Sequence, residues 1–314
     1  MKKDQPELSD KPLIFARSKK EKRNFIKFIG ISIFFSVLPS IILLLSRLIT
    51  DQDISKIYLP LIAFPINILV VSLLYPRVFK IPFGKCTSKE MFEKLGVFNQ
   101  KKGSDVLKLI GLGVCLAVLS LGGMLMGSLL SGKYTFDLSR LTWEQIIFST
   151  VPGVWEEIFF RGIIMFLLIP FFKTKNWAIF LQSFVFAICH FHDFQLWDII
   201  DLISIGIMGF VFTYTADKTN SLIPGIVFHT LHDAFIFLVQ VGDEVIITYL
   251  DNVYFYLCLW VMLFMGLIII RLLTKHSTSL NNQYLFDVQK VVFIYEKSTQ
   301  DNSISEDGIL QHIK

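Results

Sequence analysis

The chain has 314 residues, of which 53% are hydrophobic and only 18% are charged. A typical soluble domain carries about 25% charged residues, and a soluble fold of this size could not bury so much apolar surface. The composition therefore excludes a disordered chain, a nucleic-acid binder and an ordinary soluble enzyme, and it indicates a protein that lies in the lipid bilayer. The four cysteines stand far apart and predict neither a disulfide framework nor a zinc site built from cysteines.

Apolar segments recur along most of the chain. A helix needs about 20 apolar residues to cross the hydrocarbon core of a bilayer. On this basis we predict about eight transmembrane helices, at residues 25–49, 57–75, 105–131, 143–172, 177–194, 197–216, 222–241 and 247–273. The fifth and sixth are short for a full crossing, and Pro152-Gly153 predicts a kink in the fourth.

The two ends of the chain differ from this apolar middle. Residues 1–24 form a basic N-terminal segment, residues 25–273 the transmembrane domain, and residues 274–314 a polar tail. Basic residues concentrate in 1–24 and 76–104, whereas the loops on the opposite side are mainly acidic. The positive-inside rule then predicts an integral membrane protein with both termini in the cytoplasm. The Lys-rich and Phe/Ile-rich composition favours a bacterial plasma membrane.

Ionisable residues inside the spans gather in three short sequences, although each such residue is costly in a bilayer. The fourth, fifth and seventh spans contain them: Glu156, Glu157, Arg161, His190, His229 and Asp233. Residues four apart share a helix face, which pairs Glu157 with Arg161 and His229 with Asp233. A pocket that holds water would give each group a partner and keep it from lipid. We therefore predict an all-α polytopic fold with a polar cavity among the fourth to seventh spans.

Structural roles explain some of these residues taken singly. A buried Glu157–Arg161 ion pair can fix helix packing, and His190 or His229 alone is typical of a packed, hydrogen-bonded core histidine. His232 lies off the face of His229 and is predicted to be structural or to act indirectly. A second carboxylate beside Glu157 is harder to explain structurally, because adjacent like charges raise each other's cost. The co-occurrence of the three sequences therefore favours a site.

A carboxylate, histidines and an arginine suit the activation of water against a carbonyl group. Glutamate can take the proton, and histidines can hold the water or donate to the oxyanion as it forms. Glu156, His190, His229 and Asp233 would also suit a divalent ion such as zinc, which accepts histidine and carboxylate ligands. The sequence leaves both readings open, a site with a metal and a site that requires no cofactor.

The three sequences together resemble the motifs of the CPBP family, which includes CaaX prenyl endopeptidases and their bacterial relatives, the Abi proteins. EExxxR begins at Glu156, FxxxH runs from Phe186 to His190, and HxxxD runs from His229 to Asp233. Their order and their placement on apolar spans match the family over about residues 140–240. The resemblance implies an intramembrane endopeptidase that hydrolyses a membrane-associated or prenyl-type peptide, with the bilayer and that peptide as partners.

The resemblance also implies roles for the individual residues. Glu156 would be the base for water with His190 as its partner, and His229 would stabilise the oxyanion. Glu157 and Arg161 would support the site or hold a substrate carboxylate.

Asp233 stands where the family often has Asn. An ionised Asp cannot donate a hydrogen bond. A role at the oxyanion would require a protonated Asp233 or an indirect action through His229, whereas Asp is a better metal ligand than Asn. The family has been described both as metalloprotease-like and as a metal-free glutamate-type protease, and the sequence favours neither.

Two other functions fit the same residues. A non-catalytic protein for bacteriocin immunity or membrane scaffolding would keep the pocket without turnover. A transporter could use buried Glu, Arg and His as a proton relay, although the sequence contains no inverted repeat of the kind that transporters carry. Either function would leave the three motifs without hydrolytic activity.

Overall fold

The computed structural model of the protein describes five stretches of the chain. They are residues 103–132, 134–169, 174–190, 196–241 and 249–276, together with the single residues Arg23, Gly30, Lys89, Glu93 and Phe172. The first two predicted spans, the basic N-terminal segment and the polar tail after residue 276 lie outside the described residues.

The described stretches are mostly helical. The α-helices, in chain order, are α1 Gly103–Ser131, α2 Trp143–Glu156, α3 Met165–Leu168, α4 Lys175–Ile188, α5 Leu196–Thr219, α6 Ile223–Ile236 and α7 Tyr249–His276. A π-helix, Glu157–Ile164, connects α2 directly to α3. Two short strands, β1 Tyr134–Phe136 and β2 Val239–Val241, pair antiparallel, and a 3₁₀ turn follows β1 at Leu138–Arg140.

Three helices in the described stretches are long and apolar enough to cross a membrane. They lie at the third, sixth and eighth predicted spans, with the bounds Gly103–Ser131, Ile199–Thr219 and Val253–Thr274. The fifth and seventh predicted spans correspond to α4 and α6, which have 14 residues each. At 1.5 Å per residue they are about 21 Å long, shorter than the roughly 30 Å hydrocarbon core. The polar motifs thus fall largely on the shorter elements.

The seventh predicted span was wrong at its end. The prediction extended the helix to residue 241, but α6 ends at Ile236 and residues 239–241 form β2. Val239 pairs with Phe136 and Val241 pairs with Tyr134. The β-branched valines suit an extended backbone, and β1 supplies the partner strand that the local sequence does not reveal.

Helix α1 packs closely against both α6 and α7 through glycines. A Cβ atom at Gly113 would lie 2.7 Å from the carbonyl oxygen of Pro224 on α6. A Cβ atom at Gly127 would lie 2.6 Å from Cα of Phe255 on α7. Small residues permit such close approach of helix backbones in membrane proteins. The helix that carries His229 and the helix that carries Phe255 are therefore both held against α1.

Helix α2 continues directly into the π-helix, and all residues of the π-helix are buried. Thr142 and Gln145 form a reciprocal capping box at the start of α2. The helix contains Pro152, and the change from α-helical to π-helical geometry comes at Glu157. Short π-helical segments are frequent at functional sites, and this one carries two of the three ionisable residues of the first motif.

Candidate active site

One carboxylate oxygen of Glu157 joins the π-helix to α6. Its Oε1 lies 2.9 Å from Nη1 of Arg161 and 3.0 Å from Nδ1 of His229. Glu157 and Arg161 are fully buried, and His229 is nearly so. A buried carboxylate needs a charged or hydrogen-bonded partner, and here it has both. The ion pair expected from the spacing is present, and the same carboxylate also anchors the imidazole of His229.

The guanidinium of Arg161 lies among aromatic rings. Its Cζ is 3.9 Å from the ring centroid of Phe186 and 4.8 Å from that of Phe212. Cation–π attraction to these rings offsets part of the cost of burying the charge. The guanidinium N–H groups make no aligned hydrogen bond among the described residues, so the 2.9 Å contact with Glu157 is an ion pair of imperfect orientation.

Glu156 directs its carboxylate away from this pair and into a cavity. Its Oε2 lies 3.5 Å from Nε2 of His190 and 3.8 Å from Nε2 of His229. Both separations exceed the usual hydrogen-bond range of about 2.7–3.2 Å. This buried oxygen has no hydrogen-bond partner within the described part of the chain. Because buried polar atoms are normally satisfied, the oxygen marks a position for a water molecule or for a polar group of a ligand.

Both imidazoles are oriented by an acceptor at Nδ1. Nδ1 of His190 lies 2.8 Å from the carbonyl oxygen of Phe186, one turn earlier. A carbonyl only accepts, as does an ionised carboxylate, so Nδ1 of His190 donates to Phe186 and Nδ1 of His229 donates to Glu157. Both Nε2 atoms are consequently turned toward Glu156. A neutral imidazole then offers a lone pair at this point, and an imidazolium offers an N–H.

Asp233 lies beside His229 on the next turn of α6. Its Oδ2 is 3.6 Å from Nε2 of His229, and its side chain is partly exposed. The carboxylate also lines the cavity. It is therefore placed to attract the Nε2–H of a protonated His229 and to restrain the orientation of the ring. Of the two roles at the oxyanion that the sequence left open, this placement favours the indirect one.

His232, which the sequence predicts to be structural or to act indirectly, also lines the cavity. Its Nδ1 lies 2.6 Å from Oγ of Ser120 on α1, and both residues are buried. The hydrogen bond ties α6 to α1 close to the motif residues of α6. Ser120 is one of many small residues in α1, so the sequence carries no signal for this contact.

A cavity of about 470 Å³ extends from these polar groups. Its walls come from α1, α2, α4 to α7 and both strands, so it reaches beyond the fourth to seventh predicted spans. Most of the lining is apolar. The carboxylates and imidazoles among the described lining residues are Glu156, Asp201, Asp233, His190, His229 and His232.

The four candidate metal ligands, Glu156, His190, His229 and Asp233, lie near one another. Their measured N–O separations run from 3.5 to 3.8 Å. Ligand atoms around a tetrahedral zinc ion with bonds of about 2.0–2.2 Å stand roughly 3.4 Å apart, so the donor types and spacing are near those of a metal site. Within the described stretches, however, no group of three or more His, Cys, Asp or Glu side chains is arranged to hold a metal ion.

Several residues around the site carry no signal in the sequence. The ring of Phe212 stacks on His229 at 4.7 Å between centroids and also contacts the guanidinium of Arg161. Gly225 makes room for Glu157, because a Cβ atom there would lie 2.7 Å from Oε2 of Glu157. Neither position falls within one of the three motifs. The sequence does not show which helices pack together. This packing brings Phe212 against His229 and Gly225 against Glu157.

The comparison with known proteins gives one family match, and it covers the region that contains the site. No curated protein and no solved structure matches the chain significantly. The three long apolar helices support a membrane location. Residues 138–235 match the family described as type II CAAX prenyl endopeptidase Rce1-like, which supports peptidase activity and confirms the resemblance of this part of the chain to the CPBP family of intramembrane proteases.

Proposed function

We propose that the protein is an intramembrane endopeptidase in which Glu156 and His190 activate water against a peptide bond of a membrane-associated peptide. The observation that carries this proposal is the buried, unpartnered Oε2 of Glu156, which faces Nε2 of His190 and Nε2 of His229. A water molecule at this oxygen can contact the carboxylate and a neighbouring imidazole nitrogen. The family match over residues 138–235 supports hydrolysis rather than another use of the same groups.

In the first step, the water oxygen attacks the carbonyl carbon and forms a C–O bond. Glu156 accepts the proton that the water loses, and the carbonyl oxygen becomes an oxyanion. His190, whose Nδ1–H is engaged by the carbonyl of Phe186, holds the water through Nε2. Positioned general bases of this kind contribute about 10²- to 10⁴-fold to the rate.

In the second step, the oxyanion collapses and the C–N bond breaks. The proton held by Glu156 passes to the leaving nitrogen, so the products are a carboxylic acid and a free amine. His229, as an imidazolium, donates Nδ1–H to Glu157 and offers Nε2–H to the oxyanion. Asp233 and the Glu157–Arg161 pair act through His229 by fixing its position and balancing its charge. Preorganised donors are the main source of stabilisation for such an oxyanion.

The direct test is hydrolysis by the purified protein in liposomes, with membrane-associated peptides incubated in ¹⁸O-labelled water. We expect cleavage products whose new carboxylate carries one labelled oxygen, detected by mass spectrometry. The Asp105→Asn variant is the matched control, because this carboxylate on α1 pairs with Lys108 and does not line the cavity. An intact peptide pool, or products without the label, would contradict the proposal and favour a scaffold or a transporter.

A further inference from the structure

Asp201 places a further carboxylate in the wall of the cavity, outside the three motifs. It lies near the start of the candidate span Ile199–Thr219 and lines the cavity. Its side chain is exposed rather than buried, so the carboxylate is open to a ligand that enters the cavity. Asp201 has no part in the proposed hydrolysis, so its position in the cavity wall needs a separate explanation.

The partners of Asp201 leave most of its capacity to accept hydrogen bonds unused. The hydroxyl of Tyr256 donates to Oδ1 at 2.8 Å, and no cation pairs with the carboxylate among the described residues. An ionised carboxylate has about four acceptor positions. One turn further along the same two helices, Nε1 of Trp260 donates to Oγ of Ser204 at 3.0 Å. The two hydrogen bonds fix α5 against α7 and hold the carboxylate in place.

Aromatic rings surround the same end of the cavity. The rings of Tyr134 and Phe255 are 4.8 Å apart, and those of Phe255 and Tyr256 are 5.5 Å apart. All three residues line the cavity together with Asp201. Aromatic faces beside a carboxylate attract ammonium and guanidinium groups through cation–π and ionic contacts. This is the chemistry of a cation subsite.

The charged residues that line the cavity also favour a positively charged ligand. Its described lining contains three carboxylates and neither Lys nor Arg. A group with a negative charge, such as a phosphate, would therefore be repelled by these carboxylates, and only imidazolium groups could offset the repulsion. A zwitterionic lipid headgroup brings such a phosphate with its amine, whereas a lysine or arginine side chain does not. The observations thus favour a peptide as the source of the cation.

We propose that Asp201, Tyr134, Phe255 and Tyr256 form a subsite that binds a lysine or arginine side chain of the peptide to be cleaved. This inference rests on the proposed function and specifies its substrate class. The substrate is an apolar peptide with a basic residue near the scissile bond. The apolar walls bind its hydrophobic side chains, and the carboxylate with its aromatic neighbours selects the cation.

The experiment measures peptide binding rather than cleavage, so that it can be read whether or not hydrolysis occurs. The probes are fluorescent peptides of leucine, phenylalanine and alanine that carry one lysine at successive positions. Matched peptides carry norleucine, which is uncharged, at the same positions. Affinities are measured in detergent micelles for the full chain in the Glu156→Gln background, with and without Asp201→Asn or Tyr256→Phe.

We expect the lysine peptide to bind at least about tenfold more tightly than its norleucine partner at one position, a difference of about 1.4 kcal/mol. Asp201→Asn should bring this ratio close to one, because it removes the charge while it retains an acceptor for Tyr256. Tyr256→Phe should retain most of the ratio, because the carboxylate remains. A purely structural role of Asp201 would instead make both variants less stable and leave the ratio unchanged, which would overturn the proposal.

A second neutral variant and a lipid competition measurement complete the test. If Asp201→Asn does not fold, Asp201→Ser provides a second neutral variant, with the same expected loss of the ratio. Adding phosphatidylethanolamine to the micelles tests the lipid alternative. Competition by this lipid that disappears in Asp201→Asn, without any lysine preference, would assign the subsite to a headgroup and overturn the proposal. Failure of the proposed function would appear separately, as absence of cleavage by the wild-type protein.

Discussion

Glu157 accepts a hydrogen bond from Nδ1 of His229 at 3.0 Å, although 72 residues separate the two in sequence. The same carboxylate oxygen lies 2.9 Å from Arg161. A buried ion pair is thus shared with a histidine whose other nitrogen faces the cavity. This arrangement links the stability of the fold to the geometry of the site, so changes at the pair should be visible in both.

Removal of one partner of the buried pair should destabilise the protein strongly. Glu157→Leu leaves the Arg161 charge buried without compensation, which typically costs about 3–5 kcal/mol. The double variant Glu157→Leu/Arg161→Leu should recover most of this stability but not peptide cleavage, because His229 has lost its acceptor. Thermal unfolding in micelles and a cleavage assay measure the two effects. A double variant that is both less stable than the single variant and fully active would contradict this role of the pair.

A side chain at Gly209 on α5 should crowd the residues around the site. A Cβ atom there would lie 3.0 Å from the ring of Phe186 and 3.3 Å from Nη2 of Arg161. Overpacking of this kind costs about 1–3 kcal/mol, so Gly209→Ala should lower the unfolding temperature and the cleavage rate.

Gly206 provides the matched control on the same helix. A Cβ atom at Gly206 meets only Cβ of Ala187, at an ordinary contact distance of 3.7 Å. Gly206→Ala should therefore be neutral or slightly stabilising, since alanine favours helix over glycine by about 1 kcal/mol. Equal effects of the two substitutions on unfolding would refute the packing explanation.

Asp233→Asn should retain activity within about tenfold of the wild type, a change of at most about 1.4 kcal/mol in the barrier. The amide oxygen can replace the carboxylate oxygen that lies 3.6 Å from Nε2 of His229. Asp233→Leu, which removes this oxygen, should reduce kcat more than it raises KM. Steady-state kinetics with one peptide compares the three proteins. If Asn and Leu were equally damaging, Asp233 would act through its charge and not through its contact with His229.

Cleavage should persist after dialysis against a strong chelator of divalent ions. Glu156 and His190 can hold and deprotonate a water molecule between them without a further group. Metal analysis of the dialysed protein and its residual rate are measured together. Loss of activity that added zinc restores would assign Glu156, His190, His229 and Asp233 as ligands instead.

The sequence predicted which ionisable residues lie together better than it predicted which helices pack together. Charged and imidazole side chains stand out in apolar helices, because burying them without partners is costly. This contrast singled out Glu156, Glu157, Arg161, His190, His229 and Asp233, which the structure brings together around or directly behind one cavity. The spacing of Glu157 and Arg161 also predicted their contact.

Contacts between distant segments had no comparable signal. Ser120 with His232, and Asp201 with Tyr256, are ordinary residues until α1, α5, α6 and α7 are packed together. The end of the seventh span was missed for the same reason, since β2 depends on pairing with β1. Periodicity reports which residues are apolar, but it does not report which helix lies beside which.

The cleavage rate of purified Glu156→Gln, relative to wild type, tests the central claim most directly. Glutamine keeps the size and polarity of the side chain but cannot accept the proton of water. We expect the rate to fall by about 10²- to 10⁴-fold, with an unfolding temperature close to that of the wild type and of the Asp105→Asn control. A folded Glu156→Gln protein that cleaves the same peptide at the wild-type rate would contradict the assignment of Glu156 as the base.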